Sequence, residues 1–389
     1  MRVAIVTESF LPMINGVTTS VCRVAEQLAA LGHDVVIVAP EPAPAWFGPI
    51  PVHTVRSVPV RQFPTGVPSG RVEYLLAEIA PDVVHVASPF VIGARALTAA
   101  RELGLPSVAI YQTDMPRYVE QHSPGPVAPQ VARLAWRWVR RMHSLADVTL
   151  APSHAAVQAL QEHGVERVAL WGRGVDTALF TPAWRSHPDT HTLRADLAPG
   201  GEVLVGYVGR LAPEKETDRL AELHGIPGIR LVIVGDGPSR PALEAEFRTL
   251  KWAGPGPVFL GFRTGEALAQ AYAALDLFVH PGTTETFGQT LQEAAASGLP
   301  VVAAAVGGPL DLVDHGRTGL LFDPARPGAL GACVGHLAGA PEERIAMGGR
   351  ASEAVAARTW PALTDELVGH YRRAVSQAQE RRLALDAAP

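Results

Sequence analysis

Residues 277–297 read LFVHPGTTETFGQTLQEAAAS. The apolar run 277–280 reads as a buried strand, the next residues as a turn, and 291–297 as helix-forming. The backbone amides of Phe287, Gly288 and Gln289 then sit at a helix N-terminus. Free amides and the helix dipole favour an anion there, typically a phosphate. Two carboxylates, Glu285 and Glu293, bracket this step. A carboxylate repels phosphate, so each should serve another part of the ligand, such as hydroxyls. As continuous helix the eight residues would span about 12 Å, whereas a carboxylate pair acting across one glycosidic bond sits roughly 5–10 Å apart. The ligand implied is long, a phosphate with sugars attached. For such a pair in isolation the plainer reading is an ordinary helix start with an acidic first turn.

Strand-then-helix units recur along the chain. Apolar runs lie at 2–7, 34–39, 83–87, 107–111, 148–151 and 168–171, with helical stretches such as 17–31 between them. The pattern restarts after 181–201, a stretch rich in proline, histidine and polar residues that reads as a linker. New runs follow at 203–208, 230–234, 258–260, 277–280, 300–304 and 319–322, and 360–385 reads as helix alone. Strands apolar throughout and alternating with helices argue a parallel sheet covered on both faces. The 389 residues exceed one ordinary core. The fold class expected is α/β, with two doubly wound, Rossmann-like domains facing across a cleft. In such sheets ligands bind beyond the carboxyl ends of the strands.

Composition narrows the function. Hydrophobic residues make up 47% and charged residues 18%, which describes a core-rich folded protein rather than a disordered one. The net charge is −5, and the deficit lies wholly beyond residue 172, where 20 basic side chains face 25 acidic ones. A nucleic-acid partner is therefore not expected. Cys22 and Cys333 are far apart and read as buried thiols, not as a disulfide or metal pair. The N-terminal apolar run 3–6 is too short for a signal peptide. The longest stretch without Asp, Glu, Lys or Arg, 294–310, is broken by Gly298, Pro300 and Pro309, a poor membrane span. A cytoplasmic protein is expected, with peripheral contact at the inner membrane face as an alternative.

Several loops at strand ends carry chemistry. The first strand runs into residues 8–17, where Asn15-Gly16 permits a tight turn and close approach of phosphate to the next helix. A plain strand-to-helix loop explains that segment equally well. The strand 107–111 ends in Tyr111, Gln112, Thr113 and Asp114; Asp114 either meets substrate hydroxyls or caps a helix ahead of Pro116. The strand 203–208 ends in Gly209 and Arg210, with Lys215 after Glu214. Only two lysines occur in the chain, Lys215 and Lys251. Two cations on one loop suit a diphosphate and would stabilise its charge as it leaves; an incidental Glu214–Lys215 surface pair is the alternative. Gly235-Asp-Gly-Pro238 and Gly307-Gly-Pro309 are common turn chemistry. No G-x-G-x-x-G follows a strand and no G-x-x-x-x-G-K-[ST] occurs, which argues against nicotinamide and P-loop enzymes. No D-x-D and no tight His/Cys cluster is present, so no metal is expected to be required.

Together these loops resemble those of retaining glycosyltransferases of family 4, with the two-domain GT-B fold, over nearly the whole chain. The most specific match is 209–215 followed at the right distance by 285–293. The resemblance implies an acceptor-binding domain at 1–178, with 366–389 packing back on it, and a donor-binding domain at 179–365. It implies that Arg210 and Lys215 contact the donor diphosphate, Glu285 the donor sugar hydroxyls, and Glu293 the ribose. Amides around Thr286, Phe287, Gly288, Gln289 and Thr290 would hold phosphate, with Gly16 closing over it. Gly209, Gly235, Phe262 and Arg263 complete the donor set, and Asn15, Tyr111, Gln112 and Asp114 the acceptor side. The catalytic set would be Arg210, Lys215, Glu285, Gln112 and Asp114. Many relatives carry His where Gln112 stands. Glutamine cannot shuttle a proton, but in a front-face retaining reaction the leaving phosphate oxygen can take it.

The stretches Tyr-Gln-Thr-Asp (111–114), 285–293 and 307–313 are similar to actinobacterial GDP-mannose-dependent α-mannosyltransferases. That resemblance implies a GDP-mannose co-substrate, no prosthetic group, and a glycolipid, glycan or small metabolite as acceptor. A UDP-sugar-dependent transferase (glucosyl, N-acetylglucosaminyl or sulfoquinovosyl), an epimerase and a non-catalytic nucleotide-sugar-binding protein are the alternatives. The segments 60–71 and 118–129 read as proline-rich and irregular. On a helix through 132–145, Arg133, Arg137, Arg140 and Arg141 share one face beside Leu134, Trp138, Met142 and Leu145. This suits either contact with an anionic membrane or a core-packed helix with a solvated arginine face.

Overall fold

A computed structural model of the chain describes residues 1–13, 15–60, 63–66, 70–121 and 125–386. It divides into two compact units, Met1–Arg173 with Trp360–Pro389, and Gly174–Thr359.

The first unit holds an eight-stranded sheet in the order Val168–Leu170, Val148–Ala151, Ser107–Ile110, Val83–Val86, Arg2–Val6, Asp34–Pro40, Ile50–Val55, Trp46–Phe47. All neighbours are parallel except the last pair. Successive residues of Arg2–Val6 point to opposite faces, as strand geometry requires. Val3 and Ile5 enter one core with the helix Gly16–Ala30, while Ala4 and Val6 enter another with Arg71–Ile79 and Ile92–Glu102. The long helix Trp360–Asp386 belongs to this unit. Its Trp360, Leu363, Leu367, Val368 and Tyr371 join the core of Val3 and Ile5, and Tyr371 Oη lies 2.7 Å from His85 Nδ1.

The second unit holds a six-stranded parallel sheet in the order Val258–Gly261, Ile229–Val234, Val203–Val208, Leu277–His280, Val301–Ala304, Gly319–Phe322. Val203–Val208 has Ile229–Val234 on one side and Leu277–His280 on the other. The strand order reverses between Val203–Val208 and Leu277–His280. The loops leaving those two strands therefore diverge, and a crevice beyond a switch point is where such sheets take ligands.

Three segments differ from the sequence reading. Residues 182–197, read as linker, form a short 3₁₀ turn, Pro182–Ser186, and a helix, Pro188–Leu197, inside the second unit. Their polar side chains are in use: Arg185 and Arg194 reach the buried Asp276 at 2.7 and 2.8 Å. In the segment read as irregular at 60–71, the strands Ser57–Val60 and Phe63–Gly66 pair antiparallel. Pro59 faces Pro64 in this two-stranded ribbon, the edge setting in which a residue without an N–H is tolerated. In the other, Met115–Gln121 is helical, Gly125–Val127 is a 3₁₀ turn, and Ala128 opens the helix Ala128–His143. Residues 61, 62, 67–69 and 122–124 of these segments lie outside the described residues. Among the described residues no helix is long and apolar enough to cross a membrane.

Candidate active site

The loops after Val203–Val208 and Leu277–His280 meet at the switch point of the second sheet. Lys215, in the 3₁₀ turn Pro213–Lys215, donates from Nζ to Glu285 Oε2 at 2.7 Å. The same oxygen lies 3.4 Å from Nε2 of His280, the last residue of its strand. Both Lys215 and Glu285 are largely withdrawn from solvent. Burial works to raise the Glu285 carboxyl, but the Lys215 ammonium and His280 outweigh it and hold it well below the usual carboxylate range. Glu285 is thus charged at neutral pH beside a cation, the chemistry needed for a sugar hydroxyl next to a diphosphate.

The helix beyond Glu285 starts later than a continuous run from 285 would give. Gly288 is the N-cap at φ 107°, and the helix is Gln289–Ala296. That left-handed angle is one a residue with a Cβ rarely adopts, so glycine sets the start. Phe287 is buried and the Arg358 guanidinium stands over its ring. The Gly307-Gly308 turn supports this loop from behind: Gly308 N donates to Glu285 O at 2.9 Å, and a Cβ on Gly308 would fall 2.3 Å from Phe287 O. Glu293, one turn into the helix, accepts from the fully buried Tyr272 hydroxyl at 3.0 Å. Gln289 donates to Gly174 O at 3.1 Å.

Arg210 does not share the Lys215 contact. It is partly exposed and pairs with Glu214 at 2.5 Å, so Glu214 serves Arg210 rather than Lys215. Gly209 and Gly235 close the two neighbouring loops, with Gly235 N donating to Gly261 O at 2.8 Å. Phe262 is 63% exposed, while Arg263 Nε is buried with no hydrogen-bond partner among the described residues. Thr286 and Thr290 flank the Phe287 step, both half-buried.

In the first unit, Asn15 caps the helix Gly16–Ala30, its Oδ1 accepting from Val17 N and Thr18 N, each at 3.0 Å. Its Nδ2 donates to Ser9 Oγ, so the carboxamide is engaged in the turn. Gln112 is buried; it donates to Ala87 O and accepts from Arg173 Nη2, both at 2.7 Å. A Cβ on Gly16 would lie 3.2 Å from Arg173 Nη1, so Gly16, Arg173 and Gln112 form one cluster. Asp114 accepts from Arg117 N at 3.1 Å, the capping arrangement, and from the buried Tyr111 hydroxyl at 3.3 Å. Burial, then Asp114, raises the Tyr111 phenol, which stays protonated.

The sequence reading passed over Arg173, Tyr272, His280 and the threonines 283 and 284. His280 had a signal: a polar residue closing an otherwise apolar central strand sits where the sheet meets its ligand. The others act through contacts distant in sequence.

Glu8, at the end of the first strand, is a further buried carboxyl. Its Oε1 accepts from Gly93 N at 3.1 Å, and Oε2 is buried without a hydrogen-bond partner among the described residues. Burial pushes its pKa from 4.5 up to about 7, against the amides that donate to it. A raised acid stabilises the fold fully below the unfolded value, and that contribution is lost as pH rises through the folded one. Glu8→Gln stays neutral, so its thermal midpoint should hold between about pH 5 and pH 8 while the wild type declines. Parallel decline of the two proteins would remove Glu8 as the cause.

Residues 14–179 match the family model Glycosyltransferase Family 4, and residues 202–339 match Glycosyl transferases group 1. The chain is 47% identical, over 98% of its length and 100% of the relative's, to a GDP-mannose-dependent alpha-mannosyltransferase of Mycolicibacterium smegmatis. It is 46% identical, over 95% of its length and 96% of the relative's, to the protein of that name from Mycobacterium tuberculosis. Sucrose-phosphate synthase from Thermosynechococcus elongatus shares the fold with a TM-score of 0.76 at 23% identity, covering 96% of this chain and 98% of that one. With near-full-length relatives and two doubly wound domains in GT-B form, the chain belongs to glycosyltransferase family 4 and is a homologue of the actinobacterial GDP-mannose-dependent α-mannosyltransferases.

Proposed function

We propose that this glycosyltransferase moves mannose from GDP-mannose to an acceptor hydroxyl with retention at the anomeric carbon. The observation that carries the reading is the Lys215–Glu285 contact at the switch point of the second sheet. It sets a cation for a diphosphate beside a carboxylate for sugar hydroxyls. Near-full-length relatives named for GDP-mannose support that donor. In this reading Arg210, Lys215 and the amides around 286–290 take the diphosphate, Glu285 the mannose and Glu293 the ribose. Gly209, Gly235, Phe262 and Arg263 line the rest of the nucleotide.

The bond from the anomeric carbon to phosphate breaks as the bond to the acceptor oxygen forms on the same face. The acceptor proton passes to the departing phosphate oxygen, and GDP leaves. Lys215 and Arg210 stabilise the charge that grows there. Gln112 carries no proton in this scheme; Arg173 and Ala87 O fix its carboxamide. The first unit binds the acceptor through the Tyr111–Asp114 loop, and Gly16 leaves room for phosphate at the start of its helix.

The test is a panel of GDP- and UDP-sugars scored by thermal shift, then by nucleotide release with and without EDTA. A ligand that binds only the folded state raises the melting midpoint. GDP-mannose is expected to give the largest shift, and turnover should survive EDTA because side chains and amides supply the positive charge. A shift with UDP-sugars alone would overturn the donor, and no shift with any sugar would overturn the site.

A peripheral membrane role is part of this proposal. On Ala128–His143, Arg133, Arg137, Arg140 and Arg141 are exposed together with Leu134 and Trp138, while Val139, Met142 and His143 are buried. Exposed arginines beside an exposed tryptophan suit an anionic bilayer surface. The protein should sediment with phosphatidylglycerol vesicles and not with phosphatidylcholine vesicles, and Trp138→Ala with Arg137→Ala should weaken this. Equal binding to both vesicles, or none, rejects the contact.

A further inference from the structure

We propose that Glu216 is a positioning residue for the transfer: its carboxylate clasps the loop that carries Lys215 to the loop that carries Glu285. The inference rests on reading Lys215 and Glu285 as the donor-binding pair.

Three consecutive residues of one loop contact three of the other. Glu214 O accepts from Thr284 Oγ1 at 2.7 Å, and Lys215 Nζ donates to Glu285 at 2.7 Å. Glu216 Oε1 accepts from Thr283 N at 3.0 Å and also from Thr283 Oγ1. The loops also pack closely at Gly282, where a Cβ would lie 3.1 Å from Lys215 O. The first contact uses a backbone carbonyl and the second is the donor-binding pair itself. Glu216 adds a carboxylate contact outside that pair: it directly follows Lys215, and its partner Thr283 lies two residues before Glu285.

The backbone points the same way. Glu216 sits at φ 48°, ψ 40°, the left-handed region that a residue with a Cβ avoids and glycine enters freely. This side chain stands where glycine would fit with less strain, and it is fully engaged. Its Oε2 accepts from Arg219 Nε at 2.7 Å, and Arg219 in turn donates to Pro324 O at 2.9 Å. The carboxylate is held from behind by Arg219 and in front by Thr283. Burial opposes its charge, but Thr283 and then Arg219 overcome it and keep the acid below its ordinary range. The clasp stays charged at neutral pH.

The function follows from the register. A swing of the Lys215 loop by one ångström moves the ammonium relative to both the diphosphate and the sugar carboxylate. Misplacement on that scale costs about a hundredfold in rate, without removing any group that binds the donor.

The decisive variant is Glu216→Gly, which relieves the backbone and deletes the clasp. With GDP-mannose turnover read as GDP release, kcat should fall by about ten- to a hundredfold. KM should stay within a few-fold of the wild type, and the melting midpoint should be equal or higher. Glu216→Gln keeps the oxygen that faces Thr283 and should restore most of the rate. Thr283→Ala should imitate Glu216→Gly, and combining the two should add little. Wild-type kcat in Glu216→Gly, or a loss in Glu216→Gln as large as in Glu216→Gly, overturns the inference. A drop in rate matched by a lower melting midpoint overturns it too, with Thr283→Ala as the check should Glu216→Gly fold poorly. Failure of the wild type to bind or turn over GDP-mannose would instead count against the donor reading.

Discussion

Replacing Glu285 by alanine should lower kcat/KM for GDP-mannose about 100- to 1000-fold, the cost of losing one well-placed group that acts on the transition state. Glu285 is the point where three elements converge. Its carboxylate meets Lys215 from the neighbouring loop and His280 from its own strand, and its backbone carbonyl accepts from Gly308. Removing the carboxylate deletes the group proposed for the mannose hydroxyls and also leaves Lys215 without its partner. Glu285→Gln separates these effects, because an amide oxygen still accepts from a hydroxyl but no longer balances the ammonium. An intermediate loss in Glu285→Gln, with unchanged circular dichroism in both variants, is the expected pattern. Initial rates within a few-fold of wild type for Glu285→Ala would displace Glu285 from the site.

Lys215→Met should cost a similar factor, about 100- to 1000-fold, expressed mainly in kcat, because the ammonium acts on charge that grows as the diphosphate leaves. The pH dependence gives this variant a second readout. In the wild type the Glu285 carboxyl is depressed, so its contribution to stability is complete above the unfolded value. That contribution is lost only as pH falls through the lower folded value. Without Lys215, burial is opposed by His280 alone, and the carboxyl should rise. The sign then reverses: stability is greatest in acid and declines toward neutrality. Melting midpoints from about pH 4 to pH 8 in the two proteins test this directly. Matching curves would mean that Lys215 is not what holds Glu285 charged. Lys215→Arg keeps the charge but replaces a compact ammonium with a planar fork, and should recover part of the rate.

Much of the sheet architecture is legible in the chain, for a physical reason. Val203–Val208 and Leu277–His280 are buried on both faces, so every residue but the closing His280 is apolar or small and each strand stands out as a run. The strands at 46–66 have no such pattern. They lie at the margin of the first sheet or in a separate ribbon, contain Pro51, Pro59 and Pro64, and leave side chains such as Trp46 and Val58 exposed. The helix Pro188–Leu197 was disguised by charge, since Arg194 is counted as polar in the sequence but is spent on Asp276, eighty-two residues away.

The candidate site divides in the same way. Glu285 and Lys215 can be suspected from local context, because each follows a core strand. Their contact spans seventy residues and no periodicity foretells it. Asp114 shows the opposite case: its capping bond to Arg117 N is local, and the alternative role read from Pro116 anticipated it. Tyr272 and Glu216 are not legible in the sequence, because each works by holding a residue distant along the chain.

The path of the chain has a consequence for biosynthesis. The first unit is built from Met1–Arg173 and the terminal helix, whereas Gly174–Thr359 is one uninterrupted stretch. Trp360, Leu367 and Tyr371 are core residues of the first unit, packed against strands made more than two hundred residues earlier. On the ribosome, the half that emerges first must therefore wait with part of its core uncovered until the last helix is released. The half that emerges second can fold as soon as it clears the exit tunnel. The second unit is thus complete in the chain before the first, against the usual N-terminal-first order of domain maturation.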